Sequence, residues 1–338
     1  FLYTDVIQDI YYENLNLRGP VRFYEGADNR PVYNRGDEID DTYGRIILAS
    51  NTGAGDATNM TLTLTKPYEN GFAGSISYTY GESSKIFDGT SSQNSSQWRN
   101  IQTVNGKNSR LPVTRSDFAL GSRIVASTSY RLNWNENLAT TLSLFYQGFQ
   151  GSPYSFIYNE GRDILNDDSR DNALIYVPRD ASEIVFANLT DADGNLVATP
   201  EEQWQAFDTF ISNDDYLSTR RGGYAERNAS RGPWSHIVDL KLLQDFKIKF
   251  GNTKHTFQLS ADIFNFTNLL NKDWGRLKFV NNGEASPLTT ISNGDTPTFN
   301  LNTGTVGLDG KPNFVEFDDE GIQSSRWQAQ IGIRYIFN

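Results

Sequence analysis

The chain has no cysteine, one methionine and two histidines among 338 residues, and its basic residues are outnumbered by acidic ones, 30 to 41. Without cysteine there is no disulfide framework. The shortage of positive charge, a net −11 with pI ≈ 4.8, excludes a nucleic-acid partner, because phosphate binding needs basic clusters. Long apolar runs are missing too. The longest is Ala173–Val177 and the mean hydropathy is −0.54, so no helix can cross a membrane, which takes roughly 20 apolar residues. The two histidines leave little for acid–base chemistry. Ser235-His236 invites comparison with a hydrolase, but Asp239 falls on the opposite face of the same strand, so no third group orients the base. The sequence argues against an enzyme.

What is abundant is aromatic: 17 Tyr, 21 Phe and 6 Trp, with 28 Gly. The final twelve residues, W-Q-A-Q-I-G-I-R-Y-I-F-N, show how they are used. Trp327, Ala329, Ile331, Ile333, Tyr335 and Phe337 fall on one face, and Gln328, Gln330, Gly332, Arg334 and Asn338 on the other. Side chains alternate across a strand, so this is a strand with one apolar and one polar face. Aromatics near both ends with aliphatics between match a lipid-facing strand spanning two interfacial girdles. A chain without cysteine also suits a protein that crosses the periplasm unfolded.

Period-two alternation marks about eight such strands, at residues 1–15, 44–66 (interrupted near 51–56), 71–82, 120–134, 138–150, 233–250, 254–266 and the terminus. Their connections are of two kinds. Three are tight polar turns, at Lys66–Gly71, Asn135–Asn137 and Gly251–Thr253. The others are long, at about 16–43, 83–119, 151–232 and 267–324, and hold more than half the chain. Short turns on one side and long loops on the other characterise an antiparallel transmembrane β-barrel of the outer membrane of a Gram-negative bacterium, with turns periplasmic and loops extracellular. The chain opens on F-L-Y-T-D-V-I-Q, already strand-like, and is expected to start at an internal point of a longer protein.

The largest loop carries Thr199-Pro-Glu-Glu202, a capping box with proline at the first helical position, followed by Trp204, Phe207, Phe210 and Ile211 at helical spacing. This predicts an amphipathic helix at about 200–212, its aromatic stripe serving as loop core. Two clusters are candidate sites. Arg220, Arg221, Arg227 and Arg231 surround Gly222-Gly223-Tyr224, and together with Tyr224 they can either bind an anionic ligand or pair with loop carboxylates. Asp163, Asn166, Asp167, Asp168, Asp171 and Asn172 supply oxygens suited to Ca2+, although Ile164-Leu165 breaks the regular ligand ladder and a solvated acidic loop is the favoured reading. No other cofactor is expected. The inward charges Arg123, Arg131, Asp239, Lys241, Asp262 and Arg334 are expected to form a solvated wall.

Several segments together resemble the C-terminal part of a TonB-dependent outer-membrane receptor of the Oar-like and SusC-like kind found in Bacteroidota. They are A-D-I-F-N-F-T-N-L-L-N at 261–271, L-S-T-R-R-G-G-Y-A-E-R-N-A-S-R-G-P-W-S-H-I-V-D-L at 217–240, N-A-L-I-Y-V-P-R-D-A-S-E-I at 172–184, and the terminal I-G-I-R-Y-I-F-N. The resemblance covers nearly the whole chain. It implies that residues 1–338 are the last eight or so strands of a 22-stranded barrel, lacking the plug domain and the N-terminal strands. It implies active transport, with the loops capturing ligand. It further implies that Tyr335 and Phe337 belong to a signal read by the barrel-assembly machinery. Implied partners are outer-membrane lipids, the N-terminal remainder with its plug, TonB through that plug, and a surface lipoprotein. The competing expectation is a self-contained eight-stranded barrel with a structural or adhesive role, its interior filled by side chains.

Overall fold

A computed structural model describes residues 1–159, 163–168, 172–251, 253–317 and 325–337. Eight antiparallel strands follow one another in a single sheet: β1 (Leu2–Asp5), β2 (Gly55–Glu69), β3 (Phe72–Lys85), β4 (Gly121–Asn133), β5 (Leu138–Phe149), β6 (Ser235–Phe250), β7 (Thr253–Phe264) and β8 (Gln328–Phe337). Sequence order is spatial order throughout, as hairpin after hairpin requires. The sheet does not close. Among the described residues, β1 pairs only with β2 and β8 only with β7.

The turns carry their chemistry locally. The expected turn at 66–71 tightens to Asn70-Gly71, with φ of 51° and 85°. Two consecutive positive φ angles are the hairpin turn whose twist matches the flanking strands. A Cβ on Gly71 would also meet the Arg131 carbonyl at 2.5 Å, so glycine is required twice over. In the turn 135–137, Asn135 Oδ1 accepts from the amides of Asn137 and Leu138 at 2.8 and 2.9 Å. The turn at 251–253 includes residue 252, which lies outside the described residues.

The first two expected strands differ from the reading of 1–15 and 44–66 as continuous elements. The chain leaves the sheet after Asp5 and resumes at Asp9–Asn14, which pairs with Ile47–Thr52 as a separate ladder. The cause lies at the expected interruption. Gly55 has φ of 135°, and a Cβ there would sit 2.5 Å from the Ser84 carbonyl, so the chain bends sharply where β2 begins.

Register places side chains of one kind in rows. One face carries Leu62, Tyr78 and Ile124 in one row, and Phe72, Tyr130, Leu142, Leu242, Ala261 and Ile331 in another. Most of these residues stay exposed, Ile331 at 82%, and so does the neighbouring Ile333 at 76%. A contiguous apolar face of this extent is covered by something outside the chain. Two aromatic groups sit at its two levels. His236 stacks between Trp234 and Tyr146, with ring centroids at 5.9 and 6.1 Å, and Tyr335 packs against His255, Phe257 and Phe337. Both histidines are therefore members of aromatic groups.

The opposite face is small and polar. Thr61–Thr79, Thr63–Ser77, Ser75–Ser127 and Ser129–Ser143 bond across strands at 2.8 to 3.1 Å. Lys241 pairs with Asp262 and Arg131 with Asp245, so this wall neutralises much of its own charge.

Candidate ligand-binding cap

The hydrophobic core of the molecule lies in the long connections and hardly at all in the eight-stranded sheet. Phe156, Tyr158, Ile175, Phe207, Phe210, Leu217, Leu288 and Phe299 are buried together. A second, smaller cluster gathers Tyr12, Ile86, Phe87, Trp98, Ile101 and Leu111. Residues drawn from all four long connections thus fold into one cap with its own five-stranded sheet, in the order Val185–Phe186, Thr298–Leu301, Glu284–Ser292, Pro153–Asn159, Ser230–Arg231. The sequence marks these stretches only as four long connections. Their strands are short, and two of the four pairings join segments more than a hundred residues apart, a pattern that local periodicity does not carry.

The expected helix forms at Pro200–Asn213 with its capping box complete: Glu202 N donates to Thr199 Oγ1 at 3.3 Å, and Thr199 N to Glu202 Oε2 at 2.8 Å. Phe207, Phe210 and Ile211 are buried and Trp204 packs beside them, so the stripe is cap core. Gln203, also buried, donates to the Ala187 carbonyl and accepts from Leu301 N, pinning the helix to two distant segments.

The four arginines do not converge. Arg220 pairs with Glu226 at 2.5 Å, Arg221 with Asp208 at 2.7 Å, Arg227 with Asp88 and Asp117, and Arg231 with Glu82 at 3.2 Å. Each has its own carboxylate and tacks a different part of the cap in place, which is the pairing alternative in place of a shared anion site. The carbonyl of Tyr224 accepts from Arg220 at 3.2 Å, but its side chain turns elsewhere. Its hydroxyl donates to Asp28 at 3.1 Å, and its ring lies 5.1 Å from the guanidinium of Arg30. Arg30 is fully buried between Tyr224 and Tyr158, with Nε donating to Asp28 at 2.8 Å. Burial and the Asp28 charge together push both tyrosine hydroxyls well above their ordinary range. Nothing in the sequence marks Arg30 or Asp28, because the partners that bury them come from the third connection.

The acidic cluster is likewise committed to protein partners. Asp167 forms a fully buried ion pair with Lys107, and Asp168 faces Arg45, Arg35 and Arg99. Asp163 Oδ1 accepts from the amides of Leu165 and Asn166. Asn166 Nδ2 donates to the Tyr33 carbonyl and Asn172 Nδ2 to that of Arg99. Asp171 lies outside the described residues. Among the described residues, no group of three or more His, Cys, Asp or Glu is arranged to hold a metal. These carboxylates tie the first three long connections together.

Asp163 keeps a consequence of its position. Its Oδ2 is buried without a hydrogen-bond partner among the described residues, and burial, followed by the Asp167 charge, pushes its carboxyl up to about 6. Folding then favours the protonated acid. Cap stability rises as pH falls through about 6 toward the unfolded value near 4, and the penalty is fully present only well above pH 6. The expected gain between pH 7.5 and 5 is roughly 1.4 kcal/mol. Protease protection of the cap should show this rise in the natural protein and lose it in Asp163→Asn. A pH-independent difference between the two would remove the assignment.

Arg227 lines two neighbouring cavities. One of about 390 Å3 opens at the base of the cap, above the ends of β3 and β5, and is lined by Phe87, Asp88, Gln102, Asp117, Arg227 and Glu284 among others. A second of about 290 Å3 shares Ile101, Gln102 and Arg227 with it and is otherwise more apolar. Burial raises the Glu284 carboxyl, and a 2.9 Å bond from Gln102 Nε2 partly offsets this. Pockets this small suit a side chain or a terminal group of a larger ligand.

A family model described as outer membrane beta barrel domain matches residues 8–296. No curated protein and no solved structure matches the chain. The match spans most of the sheet and most of the cap, and it agrees with an antiparallel sheet that is apolar on one face and polar on the other, with tight turns at one end only. The chain belongs to the outer membrane beta barrel domain family, and its place is the outer membrane.

Proposed function

We propose that residues 1–338 are the C-terminal part of a TonB-dependent transporter barrel, in which the cap captures a large solute and the polar wall lines its route. The carrying observation is the pairing deficit at the sheet edges. Closing eight strands into a barrel would require β1 to pair along β8, yet β1 offers four residues against ten. Open edges are not tolerated in hydrocarbon, so further strands on both sides fit better than a self-contained eight-stranded barrel. The plug, TonB coupling through it and a surface lipoprotein partner follow from the same reading. So does a role for Tyr335 and Phe337 in recognition by the assembly machinery. This reading is non-enzymatic.

Loops on a rigid scaffold carry binding. Deleting 152–230 from the full-length protein removes Phe156, Tyr158, the helix and three of the four arginines at once, and with them much of the cap core. The expected result is abolished solute uptake with outer-membrane abundance near normal, because the sheet register does not depend on the cap core. Unchanged uptake at normal abundance would sink the reading.

A further inference from the structure

The apolar face of the sheet carries one anomaly. Between the levels of Phe72 and Tyr80, Lys66 is the one Lys, Arg, Asp or Glu facing outward among the described residues of β2 to β8. Its row runs Lys66, Gly74, Thr128, Leu144, Leu240, Ile263 and Ala329. A charge inside an apolar band is costly unless its long stem lets the ammonium reach the headgroup level.

The same place holds a groove. Gly74 has no side chain and Ala126 a short one, and together with Thr128 they leave a depression of about 630 Å3 walled by Leu64, Phe72, Ile76, Leu144, Tyr146 and Val238. The depression is open and mainly apolar, and Lys66 stands at its rim. The ammonium is half exposed and paired on one side with Glu69, which follows it at the turn. An ammonium has three donors, so this pairing leaves capacity for a second acceptor.

We propose that this groove binds one phospholipid of the periplasmic leaflet, with an acyl chain along Gly74, Ala126 and Thr128 and the headgroup phosphate on Lys66. The leaflet follows from position. Lys66 lies beside the Asn70-Gly71 turn, and short turns face the periplasm in this family of folds. Glu69 serves to hold the lysine stem toward the rim and to disfavour a second anionic lipid. The inference rests on the outer-membrane placement and not on the transport reading, so either can fail alone.

The test uses the full-length protein extracted in mild detergent and reconstituted in nanodiscs of phosphatidylethanolamine and phosphatidylglycerol without lipopolysaccharide. Native mass spectrometry then counts retained phospholipid. The natural protein should keep one phospholipid through delipidation. Gly74→Leu fills the groove with a side chain at home in lipid, and the Cβ it adds meets its nearest neighbour at 3.4 Å, so the barrel should fold and the adduct should vanish. Lys66→Gln should weaken retention of the anionic lipid about fivefold, the equivalent of roughly 1 kcal/mol per lysine at a membrane surface. Heat-modifiable migration on gels checks that both variants are folded. Equal retention in all three proteins would overturn the proposal. So would a tightly held lipopolysaccharide adduct in protein taken directly from outer membrane, lost in Gly74→Leu, which would assign the groove to the other leaflet.

Discussion

Replacing Ile331 by arginine in the full-length protein should lower its folding stability in lipid vesicles by about 2–4 kcal/mol, while arginine at the neighbouring Gln330 should cost little. The two residues are adjacent on β8, but their cross-strand partners are Ala261 and Asp262, one on the apolar face and one on the polar wall. Arginine at 331 meets hydrocarbon, and arginine at 330 meets a carboxylate that already pairs with Lys241. Phe337→Arg supplies the control for depth. Phe337 lies in the aromatic group around Tyr335, at the turn end of the sheet, where water and headgroups are within reach. Its penalty should be well below that at 331. The measurement is the equilibrium between folded and unfolded protein in vesicles for all three variants. Equal penalties at 330 and 331 would mean the two faces have been misassigned, and a penalty at 337 as large as at 331 would point to a protein core in place of a bilayer.

The cap should fail at Lys107. Its ammonium and the Asp167 carboxylate are both fully buried, the Lys107 amide donates to Asp167 Oδ2 at 2.9 Å, and the lysine lies 5.9 Å from the buried Trp98 ring. Lys107→Met leaves a carboxylate in that interior with only the backbone donor, a situation that costs about 3–5 kcal/mol. Because Asp167 joins the third connection to the second, the loss should appear as rapid amide exchange across 86–120 and 152–177 while the eight-stranded sheet stays protected. The double variant Lys107→Met/Asp167→Leu removes both charges and should recover most of the protection, since an apolar pair of similar volume replaces the ion pair with little loss. If the single variant exchanges like the natural protein, the pair does not hold the cap. If the double variant is as loose as the single, the effect comes from packing and not from an orphaned charge.

The sheet was legible in the sequence because its information is local. Alternation assigns each residue of β8 to a face without reference to any other strand, and Asn70-Gly71 makes its turn from its own two positive φ angles. The helix at Pro200–Asn213 was equally readable, since a capping box involves residues three apart. Where a local device failed, the reason was non-local: the break between Asp5 and Asp9 is tied to the bend at Gly55, whose need for glycine comes from the carbonyl of Ser84 on the next strand.

The site residues show the other side of that boundary. Arg220, Arg221, Arg227 and Arg231 are close in sequence, and proximity alone allows either a shared anionic ligand or separate ion pairs. The structure divides them among Glu226, Asp208, Asp88 with Asp117, and Glu82, two of these sets lying more than a hundred residues upstream. From composition Asp167 and Asp168 read as a solvated acidic stretch or as cation ligands, and the fold brings Lys107 to the first and Arg35, Arg45 and Arg99 to the second. Composition shows that carboxylates are present but not which cations will reach them. Conversely Arg30 and Asp28, unremarkable in a loop, become a buried pair because Tyr158 and Tyr224 close over them. By itself the sequence determined that this protein builds strands with one face for lipid and one for water, joined by turns on one side, because side-chain alternation and turn conformation are properties of neighbouring residues. That the long connections condense into a single cap, and which charges face each other inside it, was decided only by the tertiary structure, because burial and ion pairing depend on what the rest of the chain brings within a few ångströms.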